Sequence, residues 1–220
     1  MPGVGPTPAR PAAQSPIPNP QSQILPPRRP SIAVWHVVVA GFLQDRGQPN
    51  GMVRLWHDLH TAHAAPDTAV VFAAWDADAH ALAEQIWRLQ NARPPTVCLY
   101  GYSWGGQTAV NLARALGDRD LRVRHLVLTD PVCRHRWPVG WWRAFYPAFA
   151  VSRIAVPPNV DAVHWWRQRN SWPRAGDLTA EDPDQTLVHK ARWAATATHK
   201  YMDDLREFHA TSLRLASQLD

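Results

Sequence analysis

The 220 residues carry 23 Lys and Arg against 18 Asp and Glu, a net charge of +5, with 45% hydrophobic and 19% charged residues. This composition suits one globular domain of sufficient mass to bury a core. It argues against a nucleic-acid partner: Arg10, Arg28 and Arg29 sit in an acid-free stretch of 30 residues, the remainder is close to neutral at +2, and no Lys/Arg run exceeds two. The two cysteines, Cys98 and Cys133, exclude a disulfide framework beyond one bridge and read as buried thiols. No stretch reaches the roughly 18 apolar residues of a membrane span. The N-terminus lacks the apolar middle of a signal peptide, so the expected location is cytoplasmic.

Residues 1–30 contain ten prolines and almost nothing to bury, which reads as an extended arm, a spacer or a contact for a protein partner. Residues 31–220 read as the folded domain. Ala33–Ala40, Thr68–Ala74, Thr96–Tyr100 and Val123–Thr129 are short apolar runs that predict buried strands. Between them, Gly51–Ala64, Asp78–Leu89 and Gly105–Leu116 carry helical periodicity, with Asp76 or Asp78 available as an N-cap and Gly117 as a C-terminal stop. Val160–Trp166 and Thr186–Ala195 predict two further strands, and Leu205–Leu219 a closing amphipathic helix. The alternation predicts an α/β architecture: a mostly parallel, doubly wound sheet of about six strands with helices on both faces. Arg134–Ala150 is dense in aromatics and reads either as a lipid-contacting flap or as a cover for the core.

Gly101-Tyr102-Ser103-Trp104-Gly105 matches G-x-S-x-G, with a buried strand entering it and a helix leaving it. A nucleophilic serine needs such a sharp turn to expose its oxygen, and glycines at 101 and 105 let the neighbouring strand and helix approach. Ser103 is the candidate nucleophile. Its hydroxyl needs a base later in the chain. His199, just past the last predicted strand, is chosen by position, with His189 as runner-up. The acid that orients the base is Asp130, at the end of the fourth strand and before Pro131. Asp177 and Asp161 are the alternatives. The oxyanion site is expected from the Trp104 amide and from the loop after the first strand, where Phe42 is the better donor and Gly41 lets the backbone come close. His57, His60 and His63 are spaced by three, but successive steps of three drift around a helix, so no metal is expected.

These residues together resemble the α/β-hydrolase superfamily over roughly residues 33–219. The segment His199-Lys200-Tyr201-Met202-Asp203-Asp204, followed by a helix, and the stretch Val156–Gln168 look like small bacterial esterase- or lipase-like members. That resemblance implies a minimal α/β-hydrolase fold and favours Asp130 and His199. The chain departs from the larger family in lacking the two antiparallel strands that usually come first. It also lacks a long inserted cap apart from 134–150. The implied activity is a serine hydrolase acting on a small-molecule ester or lipid, without cofactor. The other readings are a thioesterase or acyltransferase, and a non-catalytic binding module.

Overall fold

A computed structural model describes residues 31–44, 47, 49–90, 93–133 and 153–219. The proline-rich stretch 1–30 and the aromatic segment 134–150 lie outside the described residues.

The principal sheet is parallel throughout and runs β2 (Thr68–Ala73), β1 (Val34–Val39), β3 (Thr96–Tyr102), β4 (Val123–Thr129), β6 (Val160–Arg167), then β8 (Leu187–Val188). A last strand, β9 (Arg192–Trp193), also pairs with β6. Along β1 the side chains alternate between two layers. Trp35, Val37 and Val39 share a core with Ala83 and Ile86 of α2 (Ala79–Arg88) and with Ala109, Leu112 and Leu116 of α3 (Trp104–Gly117). Val38 instead joins Cys98, Tyr100 and Tyr102 of β3 against Met52, Leu55 and Leu59 of α1 (Gly51–Ala62) and Phe208 and Leu215 of α4 (Arg206–Ala216). A sheet covered on both faces needs apolar residues at both phases of the pleat, which is why its strands read as continuous Val/Leu runs.

Helix starts follow local chemistry. The Asn50 side chain accepts from the Val53 amide at the head of α1, and Asp78 accepts from His80 and Ala81 at the head of α2. The end of α3 departs from the sequence reading. Gly117 stays helical, and the left-handed residue after the helix is Asp120, at φ 57°. A Cβ on Gly117 would lie 3.0 Å from the Asn159 side chain. That side chain donates to the Ala113 and Leu121 carbonyls and so closes the helix from outside. The glycine therefore leaves room for Asn159 rather than acting as a stop.

Two further differences concern strands. β5 (Arg153–Val156) and β7 (Asp177–Ala180) form a separate two-stranded parallel ribbon. Its Ile154, Val156 and Leu178 extend the α2/α3 core. The expected strand 186–195 is broken into β8 and β9, which occupy successive stretches of one edge of β6.

On the face covered by α4, three imidazoles form a row across the sheet. His164 of β6 lies 5.6 Å from His125 of β4 and 4.4 Å from His189 beyond β8, measured between ring centroids. Burial, then the neighbouring His189 and His125, push His164 down from 6.5 to about 4. His125 is lowered for the same first reason. Between these limits the unfolded chain binds more protons than the folded one, so stability falls as pH drops from about 6.5 toward 4. His164→Asn is expected to flatten this dependence, though not abolish it, in urea midpoints measured from pH 4.5 to 7. An unchanged slope would contradict the assignment.

Candidate active site

The candidate residues meet at the carboxyl ends of β3 and β4. Ser103 follows β3 directly, at φ 54° and ψ −126°, a left-handed conformation that costs a non-glycine residue about 1 kcal/mol or more. Flanking bonds hold it there. Its amide donates to the Thr129 carbonyl at 3.2 Å, and its carbonyl accepts from the Gly106 and Val132 amides at 3.0 and 2.9 Å. A Cβ on Gly105 would fall 2.1 Å from the Ala40 carbonyl oxygen, so only glycine lets α3 start this close to the end of β1.

His199 opens a 3-10 helix, His199–Asp204. Its Nε2 lies 2.9 Å from Ser103 Oγ, and its Nδ1 lies 2.5 Å from Asp130 Oδ2. A carboxylate can only accept, so Nδ1 carries the proton and Nε2 is the acceptor for the serine hydroxyl. Asp130 is fully buried, Ser103 is 4% exposed and His199 9%. Asp130 adopts φ 44°, and its amide donates to the Trp166 carbonyl of the adjoining β6 at 2.8 Å. The imidazole's backbone is pinned as well: Tyr102 Oη donates to the His199 carbonyl at 2.7 Å. Burial, with Asp203 and Asp130 nearby, pushes that phenol well above its ordinary value, so it stays a donor.

The alternatives lie elsewhere. Asp177 pairs with Arg167 at 2.5 Å, and Asp161 with Arg122 and Arg124 at 2.5 and 3.2 Å. His189 stacks on His164. His57 and His60 are exposed, whereas His63 is buried against His36.

Gln168 was not singled out from the sequence. It follows β6, is 1% exposed, and donates to Asp130 twice, from its amide at 3.2 Å and from Nε2 at 3.0 Å. Its Oε1 accepts from the Ser171 amide, and Ser171 Oγ accepts from the His199 amide at 2.7 Å. One glutamine thus braces both Asp130 and His199. No motif could reveal it, because a neutral amide has no characteristic spacing and its partner Asp130 is 38 residues away.

At the expected oxyanion site, Trp104 is the first residue of α3, where helix amides lack internal acceptors and favour negative charge. The Gly41 amide is committed to Gln44 Oε1 at 3.0 Å. The Phe42 amide has no acceptor among the described residues. The Phe42 and Trp104 rings touch, 4.4 Å between centroids, and Trp75 closes the group at 5.1 and 5.2 Å. A cleft of about 740 Å³ at the opposite, amino-terminal end of β1 and β3, lined by Val34, His63, Asp67, Arg93 and Thr96, contains none of these residues. Cys98 is no competing nucleophile, since burial pushes its thiol up to about 12.

A parallel sheet with helices on both faces, entered by a strand–Ser–helix elbow at its carboxyl edge, decides the architecture. The fold is that of an α/β-hydrolase. No family model and no curated protein matches the chain. Among solved structures, it is similar to the RedJ thioesterase of the prodiginine biosynthetic pathway in Streptomyces coelicolor. That structure is 13% identical, with 95% of this chain and 91% of that one covered and a TM-score of 0.47. YbtT, the type II thioesterase of the yersiniabactin NRPS/PKS pathway, is 15% identical, with 88% and 96% covered and a TM-score of 0.47.

Gln168→Leu removes a donor from buried Asp130 and the brace on the 168–173 loop. Stability is expected to fall by about 2 kcal/mol in urea unfolding, and fluorophosphonate labelling to slow about 10-fold. Labelling at the wild-type rate would show that Gln168 braces the loop alone.

Proposed function

We propose that the chain is a serine hydrolase that cleaves a carboxylic ester through an acyl-enzyme on Ser103. The supporting observation is the hydrogen-bond chain Ser103 Oγ, His199 Nε2, His199 Nδ1, Asp130 Oδ2, with steps of 2.9 and 2.5 Å. As the Ser103 oxygen attacks the ester carbonyl, its proton passes to Nε2. The imidazolium that forms is stabilised by Asp130, whose carboxylate also accepts two hydrogen bonds from Gln168. The Phe42 and Trp104 amides take the negative charge that develops on the carbonyl oxygen. Nε2 then returns the proton to the departing alcohol. Water repeats the sequence on the acyl-enzyme and frees the acid.

No step requires a metal or an organic cofactor. Among the described residues, no helix is long and apolar enough to cross a membrane. A thioester would follow the same steps with a thiol leaving, so the substrates of the test include both kinds of bond.

Purified protein is expected to hydrolyse short p-nitrophenyl esters and to be labelled by a fluorophosphonate at Ser103. Ser103→Ala is expected to lose labelling and at least about 10³-fold in kcat. Hydrolysis only of acyl thioesters would move the assignment to a thioesterase. Wild-type protein that fails to label, with equal background rates in the variant, would leave a non-catalytic binding module.

A further inference from the structure

The turn after β1 and the 3-10 helix bearing His199 are joined by one buried carboxylate. Gln44 Nε2 donates to Asp203 Oδ2 at 2.7 Å, while Gln44 Oε1 accepts from the Gly41 amide at 3.0 Å. The same Oδ2 accepts from the Gly51 amide, at the start of α1, at 2.9 Å. Asp203 is 2% exposed, and its Oδ1 has no partner among the described residues.

Capping α1 is one use of this carboxylate. The helix has no acidic residue in its first turn, and Asp203 brings a negative charge to its positive end from the far end of the chain. A Cβ on Gly51 would fall 2.1 Å from the Asp203 carbonyl oxygen, so the start of α1 packs directly on the backbone of the 3-10 helix. Capping alone does not account for the group. A neutral side chain could accept from one amide without the desolvation of a buried charge that leaves one oxygen unpaired.

The second partner accounts for it. Gln44 closes the 41–44 turn, where its amide donates to the Gly41 carbonyl at 3.1 Å and Leu43 is held at φ 57°. A strained turn in which leucine is left-handed and 73% exposed needs an outside anchor. Charge-assisted hydrogen bonds are about twice as strong as neutral ones. By engaging the Gly41 amide, Gln44 leaves the next amide, that of Phe42, as the available donor. The other side of the turn is held by the Phe42 ring on Trp104, one residue after Ser103.

We propose that Gln44 and Asp203 are positioning residues for the oxyanion site, holding the 41–44 turn so that the Phe42 amide, and not that of Gly41, faces Ser103. The base and the oxyanion donor are then set by one element, since Asp203 lies on the helix that His199 opens. This inference rests on Ser103 being the nucleophile.

Two measurements on the full-length chain test it. Amide hydrogen exchange by NMR needs no activity: Gly41 is expected to be protected in the wild type and to exchange about 10-fold faster in Gln44→Met and in Asp203→Leu. Equal Gly41 rates would overturn the clasp. In turnover of p-nitrophenyl butyrate, Gln44→Met is expected to lower kcat about 30-fold with KM within about threefold, and to weaken inhibition by phenylboronic acid by the same factor as kcat. Asp203→Asn keeps an accepting oxygen without the charge and is expected to lie between the wild type and Asp203→Leu in kcat, while Asp203→Leu falls with Gln44→Met. Unfolding midpoints that drop while kcat and boronate inhibition hold would overturn the positioning role and leave a purely structural cap. A wild-type chain that does not label at Ser103 refutes the hydrolase reading separately, and the exchange rates still decide the clasp.

Discussion

The site depends on how closely the head of α3 approaches the end of β1. Gly105 sits where any side chain would strike the Ala40 carbonyl. This contact brings two chain segments, one before Ser103 and one after it, to the same point above the sheet. Ser103 itself tolerates a left-handed backbone for a separate reason. The residue is held by hydrogen bonds to Thr129, Gly106 and Val132, so the strain is set by its surroundings rather than by the serine. The amide of Trp104 and the turn at 41–44 become neighbours as a result.

Much of the fold was legible because the central strands are buried on both faces. Mostly apolar runs of six or seven residues, separated by helical periods, specify β1 to β4 without any tertiary knowledge. β5 and β7 were not legible. Each has four residues, and their inward positions Ile154, Val156 and Leu178 have too short a period to stand out from a loop. The break between β8 and β9 was hidden for a different reason: its cause lies in pairing with β6, not in the local sequence.

The same division holds at the site. Ser103 could be picked out because the elbow is a local pattern with flanks that can be checked. His199 and Asp130 followed from chain order and from a strand end, and the structure brings them within hydrogen-bond distance of one another and of Ser103. Gln168 and Gln44 left no signal. Both act through neutral amides on buried carboxylates 38 and 159 residues away. Two buried carboxylates, Asp130 and Asp203, thus lie near the Tyr102 phenol, each joined to a glutamine. A charge removed from water needs such donors, and in both cases the donor also braces a loop that the site uses.

The interrupted edge beside β6 has a consequence for how the molecule behaves among its own copies. An uninterrupted parallel edge would offer a row of unpaired amides and carbonyls to any passing strand. Here β8 and β9 contribute two residues each, with a gap between them. Beside them the Arg167 and Arg169 guanidinium groups cover the half-exposed Trp193 ring, at 4.7 and 4.0 Å from its centroid. Short segments, a discontinuity and two cations over the Trp193 ring make this border a poor template for strand addition. On this side the sheet is capped against growth, and self-association through it is disfavoured by the same break that obscured the strand in the sequence.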